Sequence, residues 1–170
     1  MIDVQEGYRS VLYEYERVAV AVARLVQGAA MLGVPTLVTE QYPKGVGSTV
    51  AEVACHVPEG TRVIEKMSMS CCGVEAFVSA LARIGRRQVL IAGVETHACV
   101  SQTAHDLLAA GYQVHVAHDA TSARRREDYE IGWQKMLQAG MVPATVESGL
   151  LELVRTAEAP EFKAVQRLIR

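Results

Sequence analysis

The stretch Gln88-Val89-Leu90-Ile91-Ala92-Gly93-Val94-Glu95-Thr96-His97-Ala98-Cys99-Val100 reads as a buried strand, a tight turn and the opening of a helix. A cysteine at that place stands at the carboxyl edge of a sheet, with its thiol beside helix-end amides. Those amides and the helix dipole favour thiolate over thiol, so the sequence predicts a lowered pKa for Cys99. The same amides suit the oxyanion that forms when a thiolate attacks a carbonyl. The competing reading is a small core residue, the commonest role of a lone cysteine. Placement alone does not choose between them.

Two further strand ends carry charge. Asp3 follows Met1-Ile2 and precedes Val4-Gln5, and Lys66 closes Arg62-Val63-Ile64-Glu65. A charge at the end of a buried strand is costly unless it has a partner or a task. Acid, amine and thiol on one edge make a workable set. The carboxylate takes the thiol proton; the ammonium steadies the thiolate and orients the acid. An Asp3–Lys66 ion pair of purely structural use is the alternative, and Cys99 at the same edge favours the chemical reading.

These residues need a sheet whose carboxyl edge gathers them. Six apolar runs are strand candidates: 1–3, 35–39, 62–65, 88–94, 113–117 and 142–146. Most are short, β-branched and continuous in hydrophobicity, as in strands buried on both faces of a parallel sheet. Helical stripes lie between them. Val18, Val22, Leu25, Val26 and Ala29 share one face before Gly33; Phe77, Leu81 and Ile84 share another before Gly85. Cys99, Thr103, Leu107 and Ala110 precede Gly111. Further helices are expected over about 127–139 and 161–169. Repeated strand–helix units imply an α/β fold with right-handed crossovers and helices on both faces of a mostly parallel sheet. Tyr42 to Ser48 is the most loop-like stretch, and in such sheets binding sites lie beyond the strands' carboxyl ends. The first strand candidate has only two residues before Asp3, short of the usual about five or six; part of a native N-terminus is expected to be missing.

The sequence resembles the isochorismatase-like cysteine hydrolases over nearly its whole length. The marks are Ile2-Asp3-Val4-Gln5, Thr39-Glu40-Gln41-Tyr42-Pro43-Lys44-Gly45, Glu65-Lys66 with Ser68 and Ser70, and Gly93-Val94-Glu95-Thr96-His97-Ala98-Cys99-Val100. Thr103-Ala104, Gly111-Tyr112-Gln113-Val114 and Asp119-Ala120 follow in order. The resemblance implies a three-layer α/β/α sandwich and a catalytic triad of Asp3, Lys66 and Cys99. It implies a cis peptide between Val94 and Glu95, and oxyanion donors in the amides of Ala98 and Cys99. Gln5, Tyr42 and Cys72 are the candidates for substrate contact. Nicotinamidase members of the group carry an Asp and histidines as a metal site after the second strand. Here Glu40-Gln41-Tyr42-Pro43-Lys44 holds no histidine, so no such zinc and no cofactor are expected.

The 170 residues suit one domain, residues 1–170. Hydrophobic residues make up 50% and charged residues 21%, the balance of a globular chain. A net charge of -2 gives no basic surplus for nucleic acid or an anionic membrane. Arg124-Arg125-Arg126 is a short run, read as a solvated face or as an anion contact. No apolar stretch reaches the about 20 residues of a membrane span, no signal peptide is recognised, and the cytoplasm is the expected location. Adjacent Cys71 and Cys72 do not suggest a disulfide framework. The expected reaction is hydrolysis of a carbon–nitrogen bond in a small amide, ureido or carbamoyl compound. Vinyl-ether cleavage, a thiol redox set of Cys71, Cys72 and Cys99, and a silent binding protein are the alternatives. A homo-oligomer, a dimer or larger, is expected, with Trp133, Met136 and the segment 161–169 as candidate contacts.

Overall fold

Strands without hydrophobic alternation need cover on both faces. The computed structural model, which describes residues 1–170, supplies it. Strands β1 (Val38–Gln41) and β2 (Val63–Lys66) pair in parallel. Strands β3 (Gln88–Val94), β4 (Gln113–Ser122) and β5 (Val142–Ala144) form a second parallel group. Ile2 joins the groups, bridging in parallel to Thr39 on one side and Gly93 on the other. The order across the sheet is therefore β2, β1, the Ile2 segment, β3, β4, β5.

Two apolar layers flank this sheet. Helices α1 (Tyr15–Met31), α7 (Val146–Val154) and α8 (Phe162–Leu168) share one core with Val4, Ala92, Val94 and Ala117. Short α3 (Ala51–Ala54) joins it through Val53. Helices α4 (Glu75–Ile84), α5 (Ser101–Ala109) and α6 (Arg126–Gln138) share the other with Ile2, Ile64, Ile91, Val114 and Val116. The period of two in β3 and β4 sends Ile91, Val114 and Val116 to one layer and Ala92 and Ala117 to the other. The result is an α/β/α sandwich around a parallel sheet.

Several local expectations change. Residues 1–3 form no strand, only the two isolated bridges of Ile2, because Asp3 turns the backbone into the left-handed region at φ 53. The strand expected at 35–39 begins at Val38. The strand expected to end at Ala117 runs on to Ser122, because Thr121 and Ser122 resume pairing with Gly93 and Val94 after an irregularity. Val146 is not strand: Thr145 caps α7 by a reciprocal exchange with Ser148. Pro43–Val46, read as loop, is a helical turn, α2. The proposed partner contacts shift as well. Met136 is fully buried in its own core, and Val165 of α8 packs into the first core. Trp133 is half-buried and meets His118 edge to face at 4.7 Å.

Gly93 is where the two halves of the sheet meet. Ile2 N donates to Ala92 O at 2.8 Å, and Val94 N donates to Ile2 O at 2.9 Å. Gly93 has φ 125, and a Cβ there would lie on the Ile2 carbonyl oxygen. Gly93→Ala is therefore expected to destabilise the fold by more than about 3 kcal/mol in urea unfolding. Gly85→Ala, at φ 68 in open space, should cost only about 1 kcal/mol. Equal losses at the two positions would contradict the account of the sheet junction.

Candidate functional site

Four chain segments converge at the carboxyl edge. The Ile2 segment delivers Asp3, β1 ends in Gln41, β2 ends in Lys66, and the turn after β3 carries Cys99. Gln41 and Lys66 are register partners across the parallel β1–β2 ladder, so their side chains emerge side by side on one face.

Lys66 is the hub. Its Nζ lies 2.7 Å from Asp3 Oδ2 and 3.2 Å from Cys99 Sγ. It also donates to Gln41 Oε1 at 2.6 Å and faces the carbonyls of Ser68 at 3.2 Å and Met69 at 3.1 Å. Neither side chain of the Asp3–Lys66 pair is exposed. Asp3 Oδ2 has the ammonium as its partner, and Asp3 Oδ1 accepts from Thr39 Oγ1 at 2.7 Å. Burial works against the Lys66 ammonium, but the Asp3 carboxylate and Cys99 outweigh it and hold its pKa above the ordinary lysine value.

Cys99 does not open an α-helix. It lies in a π-helical turn, Thr96–Val100, that runs into α5. The Ala98 amide is already donating to Glu95 O at 3.0 Å, and Val100 N donates to the same carbonyl at 3.2 Å. The expected lowering of the thiol pKa is therefore corrected. Burial pushes Cys99 up to about 12, the Asp3 carboxylate adds to this, and Lys66 opposes it. At rest the group is a thiol.

The turn is held from two sides. The peptide between Val94 and Glu95 is cis. The Glu95 carboxylate accepts from Arg124 N at 3.0 Å and Arg124 Nε at 2.9 Å, so the arginine run supplies an internal anion contact. Helix α6 abuts the turn at Gly132, where a Cβ would come within 2.6 Å of His97 Cα.

The candidate substrate contacts separate. Gln5 is fully buried and spent on main chain: it accepts from Gln41 N at 2.8 Å and donates to Gln41 O at 3.0 Å and Gly47 O at 2.6 Å. It braces β1 and leaves no group for a ligand, a correction to its expected role. Tyr42 is exposed at the head of α2, and Cys72 is half-buried, its amide bonded to Ser70 Oγ at 3.1 Å. Glu40 is spent on Thr49, accepting from its amide and its hydroxyl. Sequence reasoning missed Gln41 and Thr39 as site residues and gave Arg124 no partner. Neither Gln41 nor Thr39 has a local signal, since only the β1–β2 register places Gln41 beside Lys66; the anion contact that was one reading of the arginine run is met by Arg124 on Glu95.

The family model described as Isochorismatase domain matches residues 1–148. Isochorismatase domain-containing protein 1 of Danio rerio is 39% identical over 169 residues, covering 99% of this chain and 59% of the relative. The chain thus spans about three-fifths of that relative's length. A solved structure described as a MAR1 ribonuclease from Caenorhabditis elegans superposes with TM-score 0.95 at 38% identity, covering 99% of this chain and 86% of that one. The YcaC gene product of Escherichia coli, described as an octameric hydrolase of unknown specificity, superposes with TM-score 0.86 at 28% identity, covering 91% and 78%. With the parallel sheet, the turn at Cys99 and these matches in hand, the chain belongs to the isochorismatase family.

Proposed function

We propose that the protein is a cysteine hydrolase that cleaves a carbon–nitrogen bond of a small amide, ureido or carbamoyl compound. The observation that carries this reading is one buried ammonium within 2.7 Å of a carboxylate and 3.2 Å of a thiol. Such a contact lets a proton leave sulfur as the sulfur attacks. In the proposed sequence Cys99 Sγ bonds to the carbonyl carbon while its proton passes to Asp3. Asp3 then protonates the departing nitrogen, and a thioester remains. Water attacks the thioester and gives its proton to Asp3; the carbon–sulfur bond breaks, the acid product leaves, and Asp3 returns the proton to Cys99 Sγ. Lys66 stays protonated and compensates whichever anion is present. The amides of Ala98 and Cys99 are the proposed oxyanion donors, with the first shared with the Glu95 carbonyl.

A resting thiol fits this order of events, in which the proton leaves sulfur only as the carbon–sulfur bond forms. Exposed Tyr42, Met67 and Met69 follow the strands that deliver Gln41 and Lys66. They are proposed as an apolar rim for the substrate or for a second subunit. Oligomerisation is supported by the octameric description of the Escherichia coli neighbour. A second reading, cleavage of RNA, is favoured by the ribonuclease description of the Caenorhabditis elegans neighbour. The net charge of -2 favours a small uncharged substrate over a polyanion.

The test is a screen of small amides, ureas, carbamoyl compounds and an oligoribonucleotide against wild type and Cys99→Ala. Cys99→Ala should abolish turnover, a loss of at least about 1,000-fold. Asp3→Asn should lower turnover strongly while leaving the thiol open to iodoacetamide. Full activity in Cys99→Ala would overturn the mechanism, and RNA as the sole substrate would overturn the reaction class.

The thiol also sets a pH signature. The unfolded thiol titrates near about 8.5, and the native one is pushed up to about 12. The unfolded state therefore sheds its proton first, so stability is lost as pH rises between those values. Buried tyrosines act in the same sense, so the diagnostic is a difference: Cys99→Ala should lose less stability than wild type from neutral to alkaline pH in urea titrations. Parallel losses would contradict the assignment. Light scattering tests the assembly, with a dimer or larger expected and a clean monomer at high concentration counting against it.

A further inference from the structure

Gln41 faces the hub and is explained neither by the sheet nor by the triad alone. Its Oε1 takes the shortest contact of Lys66 Nζ, at 2.6 Å, and lies 3.9 Å from Cys99 Sγ. Its Nε2 donates to Met67 O at 3.0 Å, which fixes which end of the amide points inward. Its own main chain is gripped at both polar atoms by the Gln5 amide, at 2.8 Å and 3.0 Å. Gln5 and Asp3 belong to the same short segment, so the arrangement closes on itself: segment to Gln41, Gln41 to Lys66, Lys66 back to Asp3.

We propose that Gln41 is a positioning residue for Cys99 reactivity, a neutral acceptor that fixes the Lys66 ammonium between Asp3 and Cys99. This rests on the reading of Cys99 as nucleophile. The physical case is one of proton count and charge. Lys66 has three protons and five acceptors within 3.2 Å: Asp3, Gln41, Ser68, Met69 and Cys99. An ammonium on a flexible stem needs fixed acceptors to hold one geometry. Gln41 supplies one without adding charge. A carboxylate in its place would sit beside Asp3 and oppose formation of a thiolate. The titratable groups that act on the thiol are Asp3, Lys66 and Tyr8, with Cys71 acting on Lys66, and Gln41 adds a neutral amide among them.

Two variants separate the acceptor from the charge. Gln41→Met keeps length and removes the acceptor; Gln41→Glu keeps the acceptor and adds a charge. The readout is the rate of Cys99 alkylation by iodoacetamide, located by peptide mass spectrometry, at matched mildly alkaline pH. Gln41→Met should slow alkylation about three- to tenfold and Gln41→Glu more than about tenfold, since each unit of pKa changes the thiolate fraction tenfold. A residue that merely supports the fold would lower melting temperature without moving these rates. Folded variants that alkylate at the wild-type rate would overturn the proposal. A second measurement uses wild type alone, with 15N lysine and 13C glutamine. A scalar coupling across the hydrogen bond from Lys66 Nζ to the Gln41 side-chain carbonyl is expected, and its absence would overturn the proposal. Failure of the nucleophile reading looks different: Cys99→Ala then retains turnover.

Discussion

An ammonium and a carboxylate held 2.7 Å apart without exposure to water constrain everything around them. Desolvating both ions costs several kcal/mol each, and the pair recovers this only when its geometry and remaining hydrogen bonds are well met. Here they are met. Thr39 satisfies the second carboxylate oxygen, and Gln41, Ser68 and Met69 surround the ammonium. Removing one partner strands the other charge, a loss of about 3–5 kcal/mol in comparable sites. That is why Asp3, on a segment too short to be a strand, is so firmly placed. The pair joins the Ile2 segment to β2 across β1, as the sheet ladder alone does from Ile2 to Thr39.

The second constraint is close approach. The Ile2 backbone reaches β3 only because Gly93 has no side chain, and α6 reaches the Cys99 turn only because Gly132 has none. A helix interior normally disfavours glycine by about 1 kcal/mol against alanine, so Gly132 is retained in α6 against local preference. Both glycines serve the same end. They let two rigid elements fix the acid and the thiol from opposite sides, with Arg124 locking Glu95 beside the turn.

The sheet and the three chemical side chains were legible because each has a local signature. Continuous apolar runs mark buried strands, and a charge or thiol directly after such a run is conspicuous. Gln41 has no such signature: an amide at a strand end is as common on a surface as in a site, and only the β1–β2 register shows that it emerges beside Lys66. Arg124 was visible as charge but not as a partner, since Glu95 lies a whole strand and helix away in sequence. Helix α7 was not expected from the sequence; Val146 extends an apolar run and reads as the end of a strand, while the decisive residues, Thr145 and Ser148, act through a capping exchange. Patterns of hydrophobicity report which face is buried; they say little about which polar atoms meet.

The expected thiolate and the thiol that burial favours differ for one reason, the balance between dipole and desolvation. A helix end offers about half a charge, screened within a turn, and in the Cys99 turn the Ala98 amide is shared with the Glu95 carbonyl. Burial acts on the whole charge of the thiolate. The Asp3–Lys66 pair is nearly neutral as seen from sulfur, with the carboxylate raising the thiol pKa and the ammonium lowering it. A net-neutral pair thus leaves burial to decide the resting state, and burial selects the thiol. The same neutrality suits the proposed chemistry. When the proton moves from sulfur to Asp3, the ammonium loses one anionic neighbour and gains another, so charge is redistributed within 3.2 Å of Lys66 Nζ and no new isolated ion is created. A group held at fixed distance from both anions, with its third proton on a neutral acceptor, needs no rearrangement to serve either state.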